Sequence, residues 1–212
     1  MAISDKSIDL RLLKSAQDEF WEKGFLNAEL KTICENAGIT TGALYKRYKG
    51  KEDLFAAVVE DIVNELMTFL EMRANVDFSL LSDMEVYNSW IMTYDDMIVI
   101  FKLLYAHKEK FTLLVEKAAG TKYENFNHEF VEKMSYAYEK FFLEAKKRGL
   151  SACTVTRKEF HVLLSSFWTC ICEPIIHGMS WKQIEEHCRI ICRFFNWKDV
   201  IMIQGEKECS KK

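Results

Sequence analysis

The stretch with the clearest capacity for chemistry is Thr32-Ile-Cys-Glu-Asn-Ala-Gly-Ile-Thr-Thr-Gly-Ala-Leu-Tyr-Lys-Arg-Tyr48. Its spacing predicts a helix, a tight turn and a very short second helix. Ile33 and Ala37 supply an inward face, Gly38 permits the turn, and Ile39 and Leu44 anchor the second helix. Thr40 suits the N-cap of that helix. Its exposed residues would be Thr41, Gly42, Ala43, Tyr45, Lys46 and Arg47. Small residues at its start let the backbone come close to a base edge, while the aromatic and the cations flank it. Base contacts from a helix start, with phosphate contacts around it, are how a major-groove reader works. A charge run alone is more often a solvated face, and Tyr45 and Tyr48 alone could be packing aromatics. The turn beside them favours nucleic-acid contact.

The surrounding charge agrees. The chain of 212 residues has a net charge of −3, which by itself points to neither nucleic acid nor membrane. Residues 1–50 hold eight Lys/Arg against seven Asp/Glu, a balance of +1, and the remainder hold 21 against 25, a balance of −4. Within Thr40–Lys51 stand Lys46, Arg47, Lys49 and Lys51 and no acid. A local basic patch in an acidic chain is hidden by the overall charge.

The elements that must hold this patch are helices. Apolar residues make up 49% of the chain with eight Gly and one Pro, which excludes collagen-like and disordered classes and leaves too few turn residues for an all-β fold. Four capping boxes are written in the sequence, Ser82/Glu85, Thr121/Glu124, Thr156/Glu159 and Ser180/Gln183. Gly24, Gly120, Gly149 and Gly178 fall where preceding helices should end. These signals predict helices near 8–23, 28–35, 40–47, 51–74, 83–106, 108–119, 122–149, 157–177 and 181–203. Apolar stripes at helical spacing support the long ones: Tyr87, Trp90, Tyr94, Met97, Phe101 and Tyr105 on the fifth, and Phe126, Phe130, Met134, Tyr138 and Phe141 on the seventh. Pro174 should disturb the eighth near Cys170, because it has no N–H to donate. No stretch has the apolar length of a bilayer span, and seven scattered Cys suit reduced thiols in a cytoplasmic protein.

The stretch Leu12–Phe55 resembles the DNA-binding domain of the tetracycline-repressor (TetR) family. The likeness is carried by Ala16, Phe20, Lys23-Gly24-Phe25, Ile33, Ala37-Gly38-Ile39-Thr40, Gly42-Ala43-Leu44-Tyr45, Tyr48 and Lys51-Glu52-Asp53-Leu54. It implies an all-α protein of about nine helices. A three-helix helix-turn-helix domain at 6–66, with its motif at about 29–48, would be joined by the long fourth helix to an effector-binding and dimerisation domain at 67–212. It implies a cytoplasmic dimeric regulator of transcription, a repressor released from operator DNA by a small effector. Thr41, Gly42, Ala43, Tyr45 and Lys46 fall where family members meet bases or nearby phosphates, with Lys31 also in reach of a base. Tyr48 and Lys51 match positions that grip the backbone, and Thr40 and Arg47 complete the set. One departure is Ala28-Glu29, where members often have a phosphate-binding Thr. The alternative class is a sensor or carrier module that acts through a protein partner, with a vestigial DNA head.

In the second domain, the resemblance implies a cavity and an interface between subunits. The cavity would be lined by Trp90, Tyr94, Met97, Phe101, Phe130, Met134, Tyr138 and Trp168 and would take a hydrophobic or aromatic effector, with Asp95, His161 or Glu173 as its polar contact. The helices near 157–177 and 181–203 would pair with those of a second copy. No cofactor or metal is expected. Cys188 and Cys192 share a helix face, but Cys170 and Cys172 point apart, and His128-Glu129 is followed by Glu132 where a metal-binding His is needed. No phosphate loop or nucleophile elbow is present, so no enzyme is expected.

Overall fold

The computed structural model describes residues 6–204, and its regular structure there is helical. The helices are α1 (Lys6–Asn27), α2 (Leu30–Ala37), α3 (Thr41–Tyr45), α4 (Lys51–Ala74), α5 (Asp83–Asn88), α6 (Tyr94–Ala106), α7 (Lys108–Glu116), α8 (Phe126–Lys147), α9 (Arg157–Ile176), α10 (Trp181–Phe194) and α11 (Trp197–Val200). The chain forms two compact units. One runs to Leu66 and includes His107–Asn127; the other holds Met67–Ala106 and the chain from His128 onward. The segment His107–Asn127 is therefore part of the first unit, although it lies within the contiguous 67–212 domain expected from the sequence.

In the first unit, Phe20, Phe25 and Phe55 meet one another with ring centroids 5.1 to 6.0 Å apart, over buried Leu12, Ala16, Ile33, Leu44 and Ile62. Each fully buried side chain of this size contributes about 1.5–3 kcal/mol. Two polar groups tie α1 to α2 inside this core. The buried Ser15 hydroxyl donates to Ile33 O at 2.8 Å, and the Glu19 carboxylate accepts from the Glu29 N–H at 3.1 Å. Burial alone would push the Glu19 carboxyl up; the Lys23 ammonium and the Glu29 N–H outweigh it, and the group lies below the usual carboxylate range.

The chain departs from the expected helices in three places, two of them within the second unit. The 83–106 helix is two helices, α5 and α6. Thr93 and Asp96 form a reciprocal cap at the start of α6, with the Asp96 N–H donating to Thr93 Oγ1 and the Thr93 N–H to Asp96. Trp90 consequently sits in the turn before α6, not on its stripe. The 122–149 helix begins only at Phe126, because the Thr121 hydroxyl donates back to Ala118 O and Glu124 takes the Gly120 N–H, so that box does not form. The 181–203 helix stops at Phe194. Residues two apart on a helix face nearly opposite ways, and the break lets both Phe195 and Trp197 pack on Phe167, at 5.2 and 5.7 Å. The boxes at Ser82/Glu85 and Thr156/Glu159 form as expected, and Gln183 reaches back to the Ser180 N–H.

Two side chains in this unit satisfy backbone carbonyls that no helix can. Arg148 donates to Phe78 O and Leu81 O while pairing with Asp83 and Glu144, which holds the irregular segment before α5. Pro174 leaves the Cys170 carbonyl without its helical donor, and His187 Nε2, from α10, takes that place at 2.8 Å. Replacing His187 by Leu should destabilise the protein by about 1–3 kcal/mol, the cost of an orphaned buried acceptor. Pro174→Ala should recover part of that loss by restoring an N–H, as a double-mutant cycle in urea would measure.

The six described cysteines are free, and Cys209 lies outside the described residues. Burial pushes the fully enclosed Cys188 thiol up to about 11. A thiolate is the reacting species. Cys188 should therefore resist alkylation at pH 8 in the native state and react at the rate of a free thiol in denaturant, as peptide mapping would read.

Candidate nucleic-acid interface

The geometry of the turn is set by three residues. Gly38 closes α2 in the left-handed region, φ 68° and ψ 37°, its N–H donating to Glu35 O while the Ile39 N–H donates to Cys34 O at 3.0 Å. Thr40 then leaves the turn extended, and its hydroxyl accepts the Ala43 N–H at 3.2 Å, capping α3. Leu44 is the one buried residue of α3 and plugs it into the first unit.

With Leu44 inward, Thr41, Gly42, Tyr45 and Lys46 face solvent and Ala43 is half-buried. Tyr45 is 58% exposed, a large aromatic with no packing role to account for it. Lys31 on α2 is also exposed, with only a loose contact to Glu35 at 3.9 Å. Lys49 is exposed beside them in sequence. Half-burial, and then Asp9 and Asp53, raise the Tyr48 phenol above its ordinary value, which keeps it a hydrogen-bond donor. These groups make a surface with small residues at its centre and donors around it.

Two of the expected contacts are engaged within the fold. The Arg47 guanidinium lies 2.5 Å from Asp9 on α1 and donates to Ala43 O, so it fixes the end of α3 instead of reaching outward. The Lys51 ammonium donates to Leu26 O and Ala28 O, each at 3.0 Å, and stands 4.7 Å from the Phe25 ring. Its charge plugs the carbonyl end of α1, where a cation is favoured. Neither use was legible from local spacing: Asp9 is 38 residues from Arg47. Glu29 precedes α2 without a side-chain cap.

The eight residues expected around an effector fall in the second unit. Trp90, Met97, Phe101, Phe130, Met134 and Trp168 are buried, and Tyr94 and Tyr138 are half-buried. Phe130 and Trp168 pack at 4.2 Å and Trp90 meets Tyr138 at 6.2 Å. A surface groove of about 700 Å³ at the start of α9 is lined by Cys153–Thr156, Lys158, Glu159, Val162 and Leu163 and by none of the eight. Of the expected polar contacts, Asp95 and Glu173 are exposed, and Glu173 pairs with His177. A different polar atom, which no spacing in the sequence singles out, lies among the eight: Trp90 Nε1 is buried with no hydrogen-bond partner.

Residues 12–58 match the family model described as bacterial regulatory proteins, tetR family. The match is confined to this N-terminal segment of the chain. The HTH-type transcriptional regulator UidR of Escherichia coli (strain K12) is 35% identical over 69 residues, which is 32% of this chain and 35% of that protein. The match thus spans about a third of the curated relative. Solved structures extend the likeness of fold to the rest. NalD of Pseudomonas aeruginosa, the secondary repressor of the MexAB-OprM multidrug efflux pump, is similar with a TM-score of 0.58 at 17% identity, over 90% of this chain and 97% of that one. The transcriptional regulator FadR from Bacillus subtilis, solved with stearoyl-CoA, is similar with a TM-score of 0.54 at 12% identity, over 89% and 97%. Among the described residues, no helix is long and apolar enough to cross a membrane.

Because Arg47 and Asp9 are only part-exposed and close, they should act as a pair in stability. Arg47→Ala and Asp9→Ala should each cost about 1 kcal/mol or less, and the double variant little more than either alone. Chemical denaturation of the four proteins measures this.

Proposed function

We propose that this chain is a homodimeric, sequence-specific DNA-binding regulator of transcription, a repressor whose hold on its operator is set by a small apolar effector. The observation that carries the reading is the exposed row Thr41, Gly42, Tyr45 and Lys46 on a capped helix whose only buried residue is Leu44. The small side chains admit close approach to base edges, with the Thr41 and Ala43 methyls and the Tyr45 ring reading them. Lys46, Lys49, Lys31 and the Tyr48 hydroxyl bind phosphates beside them.

Pairing with a second copy through α9 and α10 is supported by their exposed apolar residues. Val162 is 60%, Ile190 57% and Phe194 74% exposed. Large apolar side chains left in solvent mark interaction sites when they cluster on particular elements. The effector is supported by Trp90: a buried indole N–H without a partner costs about 1–3 kcal/mol, which a ligand acceptor would recover. The ligand is then apolar with one acceptor atom, contacting Trp90, Phe130, Met134, Tyr138 and Trp168. It lowers operator affinity only as far as it prefers the form that does not bind DNA.

The test is selection of binding sites from random duplexes with the purified chain. Selected sites should contain two half-sites about 34 Å apart, or a multiple of that. Lys46→Ala should weaken all sequences alike and reduce the salt slope by about 1, whereas Gly42→Leu should abolish discrimination between sequences. Failure to enrich any sequence at low salt would overturn the reading.

A further inference from the structure

Between α8 and α9 stand three side chains that the proposed function does not use. His128 and Glu132, four residues apart on α8, lie one above the other on one helix face. His161 comes to them from α9. One imidazole nitrogen of each His and one carboxylate oxygen of Glu132 all lie within 4.8 Å of one another. His161 Nδ1 is 3.6 Å from Glu132 Oε1, and the two imidazole rings meet edge to face with centroids 6.3 Å apart. In the sequence, Glu132 occupies the place where a helical His-x-x-x-His pair would have its second His; in space, a neighbouring helix supplies that His.

We propose that His128, Glu132 and His161 bind one divalent first-row transition-metal ion, such as zinc, with its remaining positions open to water. Two imidazoles and a carboxylate suit zinc, cobalt and nickel, whereas magnesium and calcium demand more oxygen ligands. Metal–ligand distances of about 2.0–2.1 Å place tetrahedral ligand atoms about 3.3 Å apart. The Glu132–His161 separation is already near that value. The remaining contraction falls on His128 and Glu132, which are both exposed and turn without moving the core. His161 is the fixed partner. It is half-buried, and its Nδ1 lies 3.1 Å from the Ser135 hydroxyl, itself held 2.7 Å from Val131 O. The ion would take this same nitrogen, while the hydroxyl keeps its bond to Val131 O. The ion would link α8 to α9, and the site does not depend on whether the chain binds DNA.

The experiment is calorimetric titration of the chelator-stripped, reduced full chain with zinc chloride, repeated with cobalt to read its visible absorption. One ion should bind per chain. Glu132→Gln and His161→Ala should each weaken binding by at least about tenfold. His177→Ala should leave it unchanged, since His177 and Glu173 form an exposed i,i+4 pair without a third ligand. The double variant Cys188→Ala, Cys192→Ala should also bind as wild type. Circular dichroism checks that each variant is folded. Absence of uptake by the wild type would overturn the proposal. So would uptake that survives Glu132→Gln and His161→Ala, or that is lost with the cysteines.

Discussion

At φ 68° and ψ 37°, Gly38 holds a backbone conformation that costs a residue with a Cβ about 1–2 kcal/mol. Space is not the constraint, since a Cβ there would meet only the Arg11 guanidinium at 3.6 Å. The angle is. It sets the direction in which the chain leaves α2, and so decides that Thr40 caps α3 and that Leu44 enters the core. With those two residues placed, the outward row of α3 has no freedom left, and the exposure of Tyr45 is a consequence of the buried Leu44 one position before it.

Helices solve the backbone problem along their length and leave it unsolved at their ends. In this chain long side chains do the remaining work. Lys51 closes the carbonyl end of α1, Arg148 gathers the carbonyls before α5, and His187 replaces the donor that Pro174 removes from α9. Each of these groups would be read from the sequence as a surface charge or a candidate ligand. Their partners lie 17 to 70 residues away, so the chemistry that recruits them is invisible to local spacing.

That distance separates what was legible from what was not. The turn at Gly38, the Thr40 cap and the boxes at Ser82 and Thr156 are contacts between near neighbours in the chain, and they stand in the structure as written. The break before α6 was also local, in Thr93 and Asp96, but the apolar stripe from Tyr87 to Phe101 continues at helical period across it and masked the cap. The proposed binding surface was legible where it depended on exposure and lost where it depended on pairing: Thr41, Gly42, Tyr45 and Lys46 face outward, while Arg47 is taken by Asp9. His161 joins His128 and Glu132 only because α8 and α9 pack side by side, which no spacing within one helix could indicate.

The single buried residue of α3 has an evolutionary consequence. A surface substitution that touches no buried group usually changes stability by less than about 0.5 kcal/mol. Thr41, Tyr45 and Lys46 can therefore be exchanged almost without penalty to folding, while Leu44 and the Arg47–Asp9 pair keep the helix where it is. Drift at the three outward positions is buffered by a frame that does not drift with them. On the proposed reading, new recognition can thus be acquired here by one or two substitutions, without first gathering mutations that stabilise the fold.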